Sequence, residues 1–362
     1  MTAGLVELLS AAVDGGLGSA AALSIGDGGR EVERVVLGTE QRVPGPGPAI
    51  DEHTLFDLAS LTKPMATAAV AMALVGAGRL DLADPIRRHL PASASPACVA
   101  DLLGHGAGCA AHVEFFHEVW TIADLAQARA ALLARAAATP LAYPPGTTTT
   151  YSDLGYLQAG AVLEHAGGAR LDELVAGLVA GPLGLTGLRF VDRASTGRPA
   201  RVVATEVDPR RGGLVRGLVH DENAHAGGGV TGHAGLFGSI TDVAGFAAAM
   251  TQLGAGHDAG PLRADVATRF LTSAAAPGTS WRLGWDTPST TPGISHAGDR
   301  WPRVGAVGHL GFTGTSLWLD LPRQRWVALL TNRVHPRRED TADAIRTLRR
   351  AVGDAAVALL GG

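Results

Sequence analysis

The stretch from Phe56 to Leu80, FDLASLTKPMATAAVAMALVGAGRL, governs how the rest of the chain is read. Its pattern turns helical at about Ser60, and Pro64 falls in the first turn, where a missing N–H leaves no helical hydrogen bond unmade. From Met65 to Val75 the segment is apolar on every face, which predicts a buried central helix with Ser60 at its N-terminal end. Ser60 and Lys63 then stand one turn apart on the same face, bringing a hydroxyl and an amine within contact. A serine hydroxyl becomes a nucleophile when a neighbour takes its proton, and an ammonium can serve only if its pKa falls well below about 10.4. Burial is expected to supply that fall, because desolvation disfavours the charged amine. The helix N-terminus adds partial positive charge that favours an alkoxide.

Composition sharpens the interest in Lys63. Of the 30 basic residues 29 are arginine, so Lys63 is the chain's one lysine. Guanidinium can replace ammonium at a surface but never gives up its proton at physiological pH, so the surviving lysine invites a chemical explanation. Four residues of S-x-x-K are a weak pattern, since a capping serine and an exposed lysine would satisfy them equally.

Working outward, Leu5 to Val13 reads as a short helix, and Ala20 to Ile25 and Arg34 to Gly38 as strands joined through the turn Gly26 to Gly29. Between Leu80 and Ala275 the pattern is mostly helical, broken by loops at Tyr143 to Thr147, Pro209 to Gly213 and Gly227 to Gly229. Strands return at Trp281 to Trp285, Ala306 to Gly311, Thr315 to Leu319 and Trp326 to Leu330. Arg338 to Leu360 closes as an amphipathic helix with Ile345, Leu348, Val352, Ala355 and Leu359 at helical spacing. The expectation is an α/β (α+β) protein: a sheet domain from residues 1–79 and 276–362 around an inserted helical domain, 80–275.

A net charge of -4 without a basic stripe recruits neither nucleic acid nor an anionic membrane, and 46% apolar with 18% charged residues argues for a globular chain. Arg337, Arg338, Arg349 and Arg350 read as the solvated side of the last helix. Cys98 and Cys109 are too few for a disulfide framework and read as reduced structural thiols. The apolar run Pro64 to Gly78 is shorter than the roughly 18 to 20 residues a bilayer requires. No basic residue precedes Arg30, so the start lacks the charged region of a secretory signal and a cytoplasmic location is expected.

Two further motifs carry chemistry. Tyr151-Ser152-Asp153 lies where the turn-rich YPPGTTTTYSDLGY opens into a helix; a phenol near an ammonium can have its pKa lowered and shuttle a proton. Tyr143 and Tyr156 compete for that role. His309-Leu310-Gly311 ends a strand in GHLGFTGTSLWLD, where a glycine would let a substrate lie against the strand edge. The backbone N–H of Phe312 could join that of Ser60 in an oxyanion hole. The histidines His105, His112, His117, His220 and His225 raise a metal reading, but neither HExxH nor CxxC spacing is present, and no metal or cofactor is expected.

Together FDLASLTKP, LLGHGAG, YSDLGY, VHDENAHAGGGVTGHAGLFGSITDVAGFA and GHLGFTGTSLWLD resemble the β-lactamase and penicillin-binding-protein superfamily, in its class C and carboxylesterase-like branch, over roughly residues 50 to 335. The resemblance implies an antiparallel sheet flanked by helices, with the active site between the sheet and an all-helical region and the HDENAH loop beside the cleft. It implies an acyl-enzyme: Ser60 attacks a carbonyl, Lys63 and Tyr151 relay protons, and water releases the acyl group. Asp153, His309, Gly311 and Phe312 would face substrate. Where that superfamily commonly has Lys-Thr-Gly, this chain has His309-Leu310-Gly311, a mostly neutral imidazole in place of a fixed ammonium. Asp153 stands where an asparagine is usual and cannot donate to a substrate carbonyl while ionised. Both departures point from β-lactams toward small esters or amides as substrates. The rival readings are a D-amino-acid peptidase or D-alanyl carboxypeptidase, and a penicillin-binding sensor that does not turn over.

Overall fold

The computed structural model describes residues 2–195 and 197–361. Both chain ends contribute to one five-stranded sheet, whose spatial order is Arg30–Gly38, Ala20–Asp27, Arg325–Thr331, Ser316–Asp320 and Ala306–Leu310, every neighbour antiparallel. Alternation within the central strands serves two cores. Leu23, Ile25, Trp318, Val327 and Leu329 face the helices Thr2–Asp14 and Ala342–Leu359, meeting Leu9, Ile345, Leu348 and Val352. Ala22, Leu317, Leu319, Trp326, Ala328 and Leu330 face the other way, toward Val243, Phe246 and Met250 of the helix Ile240–Gly254. The outer strand Arg30–Gly38 is charged along its exposed side, which discourages further edge pairing.

Two expectations change here. Trp281 to Trp285 is not a strand, so the C-terminal part supplies three strands rather than four. Leu283 and Trp285 are buried by a folded-back loop, with Trp281 only half-buried: the N–H groups of Leu283 and Gly284 bond to the carbonyls of Phe270 and Leu103, and Gly284 has φ +93°, a left-handed conformation suited to glycine. Asp286 pairs with the edge strand, exchanging hydrogen bonds with Gly308. Nor is the segment 80–275 all helical. Arg189–Phe190 and Leu236–Gly238 join Phe56–Asp57 in a three-stranded sheet, and Ala204–Asp208 pairs with Gly213–Arg216. The β-branched run Val202, Val203, Thr205 and Val207 favours that extended backbone.

The helix that opened the sequence reading runs Ala59–Gly76, tight at Ala59–Leu61, widened to a π-helix over Lys63–Ala68 and regular from Ala69. In length and composition it could cross a bilayer, but 83% of it is buried inside the protein as the core helix. A π-helical turn of this kind is uncommon and recurs at functional sites.

Candidate active site

The backbone enters this helix through an unusual residue: Ala59 has φ +48° immediately before Ser60. The Asp57 carboxylate holds it there, accepting the Ala59 N–H at 2.8 Å on one oxygen and the His220 N–H at 2.6 Å on the other. Burial nevertheless keeps the Asp57 carboxyl above its ordinary pKa. Thr62 Oγ1 donates to the Ala59 carbonyl and accepts the N–H of Leu236, while Thr67 Oγ1 donates to the Gly232 carbonyl. The Gly-rich loop after HDENAH therefore clamps the helix from the side. Gly232 must be glycine for this, because a Cβ there would lie 2.2 Å from the Tyr156 carbonyl oxygen.

Lys63 is fully buried, and its three N–H groups have three acceptors: Ser60 Oγ at 3.0 Å, Asp153 Oδ1 at 2.8 Å and the His233 carbonyl at 3.1 Å. Burial pulls the lysine pKa down, but the charge of Asp153 outweighs it and leaves Lys63 above its ordinary value. Asp153 mirrors this: burial pushes it up, yet Lys63 and then His112 hold the carboxyl far below the usual range. Position helps as well, since Asp153 is the first residue of the helix Asp153–Gly167, capped by Ser152 Oγ accepting the Gly155 N–H. The expectation that burial neutralises Lys63 is thus overturned. Asp153, expected on the substrate side, lines the cavity and is also the counter-ion of the lysine, and its second oxygen lies 3.4 Å from His112 Nδ1.

Tyr151 is the tyrosine nearest the pair, with Lys63 Nζ 4.7 Å from its ring centre. The competing phenols are committed elsewhere, Tyr143 to the His105 carbonyl and Tyr156 to the Leu103 carbonyl. Burial raises the Tyr151 pKa more than Lys63 lowers it, so at neutral pH it is a phenol, contrary to the lowered value expected. His309 Nδ1 lies 2.8 Å from the Leu310 carbonyl, which can only accept, so the ring proton sits on Nδ1 and Nε2 carries a lone pair. Nε2 is buried and has no hydrogen-bond partner among the described residues. Burial, then the Lys63 charge, push the His309 pKa down to about 3, and the ring is neutral.

Beyond the strand, the turn Gly311–Thr315 is tied to the segment that leads into Ser60. Thr313 Oγ1 donates to the Asp57 carbonyl at 2.8 Å and Thr315 Oγ1 to the Leu58 carbonyl at 3.0 Å. A Cβ on Gly311 would lie 1.9 Å from Thr315 Oγ1 and 2.7 Å from the Leu58 oxygen, so that glycine permits the tether rather than making room for substrate. Buried Arg349 donates from Nη2 to the carbonyls of both Gly311 and Thr315. Arg349 is therefore not on a solvated helix face, and Arg338 is not either: it binds Glu206 and Glu222. Phe312, 49% exposed, packs between His220 and the guanidinium of Arg333.

A cavity of about 710 Å³ collects Ser60, Tyr151, Asp153, His309, Gly311 and Phe312, with Lys63 behind its wall. It also takes in His112, Asp221, Trp281 and Arg346, which the sequence reading did not place in a site. The available signals were His112 among the unassigned histidines and Asp221 inside HDENAH. Of the other histidines, His105 packs against the Tyr151 ring and accepts the Ser152 N–H, His220 lines the cavity and pairs with Glu206, His117 pairs with Glu114, and His225 packs on Trp120. Among the described residues, no group of three potential ligands converges on a metal position.

The sequence matches the model of the family described as Beta-lactamase over residues 7–351. A protein of Escherichia coli K12 named "Putative D-alanyl-D-alanine carboxypeptidase" is 31% identical over 307 residues, covering 78% of this chain and 70% of its own length. Among solved structures, EstCE1, described as a hydrolase with promiscuous acyltransferase activity, superposes with a TM-score of 0.72 at 22% identity over 97% of this chain and 98% of its own. A β-lactamase from Mycobacterium bovis does so with a TM-score of 0.64 at 20% identity over 97% and 98%.

Proposed function

Because the chain belongs to the β-lactamase family, a family of hydrolases and their penicillin-binding relatives, we propose that it is a serine hydrolase whose Ser60 is acylated by small esters or amides. The observation that carries this reading is the 3.0 Å contact between Ser60 Oγ, on the cavity wall, and Lys63 Nζ behind it. In the acylation step Ser60 Oγ bonds to the substrate carbonyl carbon while its proton passes to Lys63 Nζ. The resulting oxyanion lies near the backbone N–H groups of Ser60 and Phe312, and preorganised donors of this kind contribute about 10²-fold or more in rate. The Tyr151 phenol, beside Lys63 on the cavity wall, gives a proton to the departing alcohol or amine, and water then reverses the sequence to release the acid.

Neutral His309 decides the preference among substrates. It supplies no positive charge where a fixed cation would hold a β-lactam or peptide carboxylate, which favours uncharged esters. A carboxypeptidase reading draws on the name of the E. coli relative and on Arg346, whose guanidinium lines the cavity and could take a terminal carboxylate.

The test is incubation with p-nitrophenyl acetate, nitrocefin, a D-alanyl-D-alanine peptide and a fluorophosphonate, followed by intact mass and by the same assays on Ser60→Ala. Turnover of the ester, labelling of Ser60, and loss of both in Ser60→Ala are expected. Absence of any adduct on Ser60 overturns the proposal, a faster rate on the peptide replaces the esterase reading, and a permanent adduct without turnover replaces the enzyme with a sensor.

A further inference from the structure

Tyr151 owes its place in the cavity to a residue from another part of the chain. The N–H of Thr150, just before it, bonds to the His105 carbonyl at 3.0 Å, and the N–H of Ser152, just after it, bonds to His105 Nδ1 at 3.1 Å. Between those two bonds the imidazole packs on the Tyr151 ring, with 4.8 Å between ring centres. Tyr143 reinforces the same junction, its hydroxyl donating to the His105 carbonyl at 2.7 Å and accepting the Thr150 N–H at 3.2 Å. His105 therefore brackets the backbone of the phenol on both sides.

This bracket requires one protonation state. A backbone N–H can only donate, so Nδ1 carries a lone pair and the ring proton sits on Nε2. Burial, then the charge of Lys63, push the His105 pKa well below its ordinary value, so the ring stays neutral and Nδ1 stays an acceptor. The Nε2–H is buried without a hydrogen-bond partner among the described residues, and the ring lies among Tyr151, Tyr156 and Trp281, whose centres are 4.8, 4.9 and 4.5 Å away. Buried polar groups are rarely left unpaired, and here the unpaired donor accompanies the acceptor that Ser152 needs.

Backbone conformation points the same way. In the run Gly104-His105-Gly106 the left-handed conformation falls on His105, with φ +61°, and on neither glycine. Glycine would adopt that conformation without steric cost, so a side chain at this position signals that the side chain itself is needed.

We propose that His105 is the positioning residue of the proton donor: through Nδ1 and its carbonyl it fixes Tyr151 where the phenol can protonate the departing group. This rests on the serine hydrolase reading and adds a residue to it. His105 is not among the residues lining the cavity and reaches the reacting atoms only through Tyr151. The consequence is a dependence on the leaving group. p-Nitrophenolate departs without a proton, whereas ethoxide needs one, so a misplaced phenol slows ethyl acetate far more than p-nitrophenyl acetate. A general loss of structure would slow both alike.

The experiment measures kcat/KM, which reports acylation, on ethyl, phenyl and p-nitrophenyl acetate, esters that share one acyl group. The enzymes are the wild type, His105→Gly, His105→Asn, Tyr151→Phe and the double variant of His105→Gly with Tyr151→Phe. His105→Gly takes the left-handed backbone freely but offers Ser152 no acceptor, while His105→Asn tolerates that backbone and supplies an amide oxygen near the place of Nδ1. Expected in His105→Gly is a loss of about 10-fold or more on ethyl acetate, with p-nitrophenyl acetate within about threefold of the wild type and phenyl acetate between them. His105→Asn should recover most of the ethyl acetate rate, and His105→Gly should cost nothing further in the Tyr151→Phe background. If His105→Gly does not fold, His105→Gln, which keeps the bulk with carbon at the place of Nδ1, should give the same pattern. An equal loss on all three esters, or none, overturns the proposal and leaves His105 a core residue, as does an additive loss in the Tyr151→Phe background or no recovery in His105→Asn. Failure of a fluorophosphonate to label wild-type Ser60 overturns the hydrolase reading itself, and the role of His105 with it.

Discussion

Two charged clusters contribute to the same cavity, and they are built from the same kinds of groups to different ends. In one, Lys63 and Asp153 form a buried pair in which the cation is a compact ammonium with each N–H on a different acceptor. In the other, Arg338 lays its guanidinium on Glu206, with Nε 2.9 Å from Oε1, and reaches Glu222 at 2.8 Å, while His220 shares the Oε2 of Glu206 with Arg338 Nη2. The arginine cluster is partly open to solvent and fixes its partners without any proton being free to move. The lysine pair can exchange a proton, because ammonium is the only cation of the two with a second accessible protonation state. In a chain that uses arginine for every other basic residue, the position where proton movement is needed is the one that keeps lysine.

Reciprocal swaps put the sharpest pressure on that contrast. Lys63→Arg preserves the charge beside Asp153 but removes the group that can become a base, so ester turnover should fall by about 10²- to 10⁴-fold. Arg338→Lys removes only a bidentate contact in a partly exposed cluster, and should leave turnover within about threefold and lower stability by less than about 1 kcal/mol. Turnover on p-nitrophenyl acetate and urea unfolding measure both. A Lys63→Arg enzyme within tenfold of the wild type would break the distinction between the clusters.

The next largest effect is expected where the clusters meet. The Gly311–Thr315 turn is tied to the Ser60 segment by Thr313 and Thr315, and it carries Phe312, which lies against Arg333 and Arg338. In Gly311→Ala the new methyl carbon would overlap Thr315 Oγ1 and crowd the Leu58 carbonyl. Overpacking of this sort costs about 1–3 kcal/mol, and the tether can be released only by moving Phe312 away from Ser60. Both a lower unfolding midpoint and a loss of turnover are expected. Gly311→Ala with wild-type values in both measurements would show that the tether does not set the Phe312 position.

How much of this was legible beforehand follows the range of each interaction. The apolar helix from Met65, the strand pair near the N-terminus and the last helix are local patterns, and each appears within a few residues of its expected place. Trp281 to Trp285 misled because bulky apolar residues at every second position read as the one buried face of a strand, and a loop folded against Phe270 and Leu103 buries Leu283 and Trp285 at the same spacing. The neighbourhood of Ser60 was legible as a set of residues, since Tyr151, His309 and Phe312 do gather around one cavity. The protonation state of Lys63 was not. It depends on a carboxylate 90 positions away in the chain and on which way that carboxylate points, and no local spacing encodes either. Arg349 shows the same limit, because an arginine at helical spacing looks solvated until the turn it binds is folded onto it.

The smallest effect tests the arginine cluster by acid. Burial raises the Glu206 pKa, but the hydrogen bonds from His220 and Arg338 prevail and hold it at about 2, below its ordinary value near 4.5. A carboxyl depressed on folding stabilises the protein fully above its unfolded pKa, and that contribution disappears as the pH falls from about 4.5 toward 2. Glu206→Gln should therefore lower the unfolding midpoint slightly at pH 7 and converge on the wild type as the pH is taken down through that window, with ester turnover at pH 7 little changed. Asp153→Asn should not behave in this way: its effect on turnover is present at neutral pH, because it alters the base rather than a static contact. Thermal unfolding of the two variants from pH 7 to about pH 2, beside their turnover at pH 7, separates a cluster that only holds the wall from one that moves a proton. If Glu206→Gln instead reduces turnover as much as Asp153→Asn while leaving acid stability unchanged, the roles assigned to the two clusters are reversed.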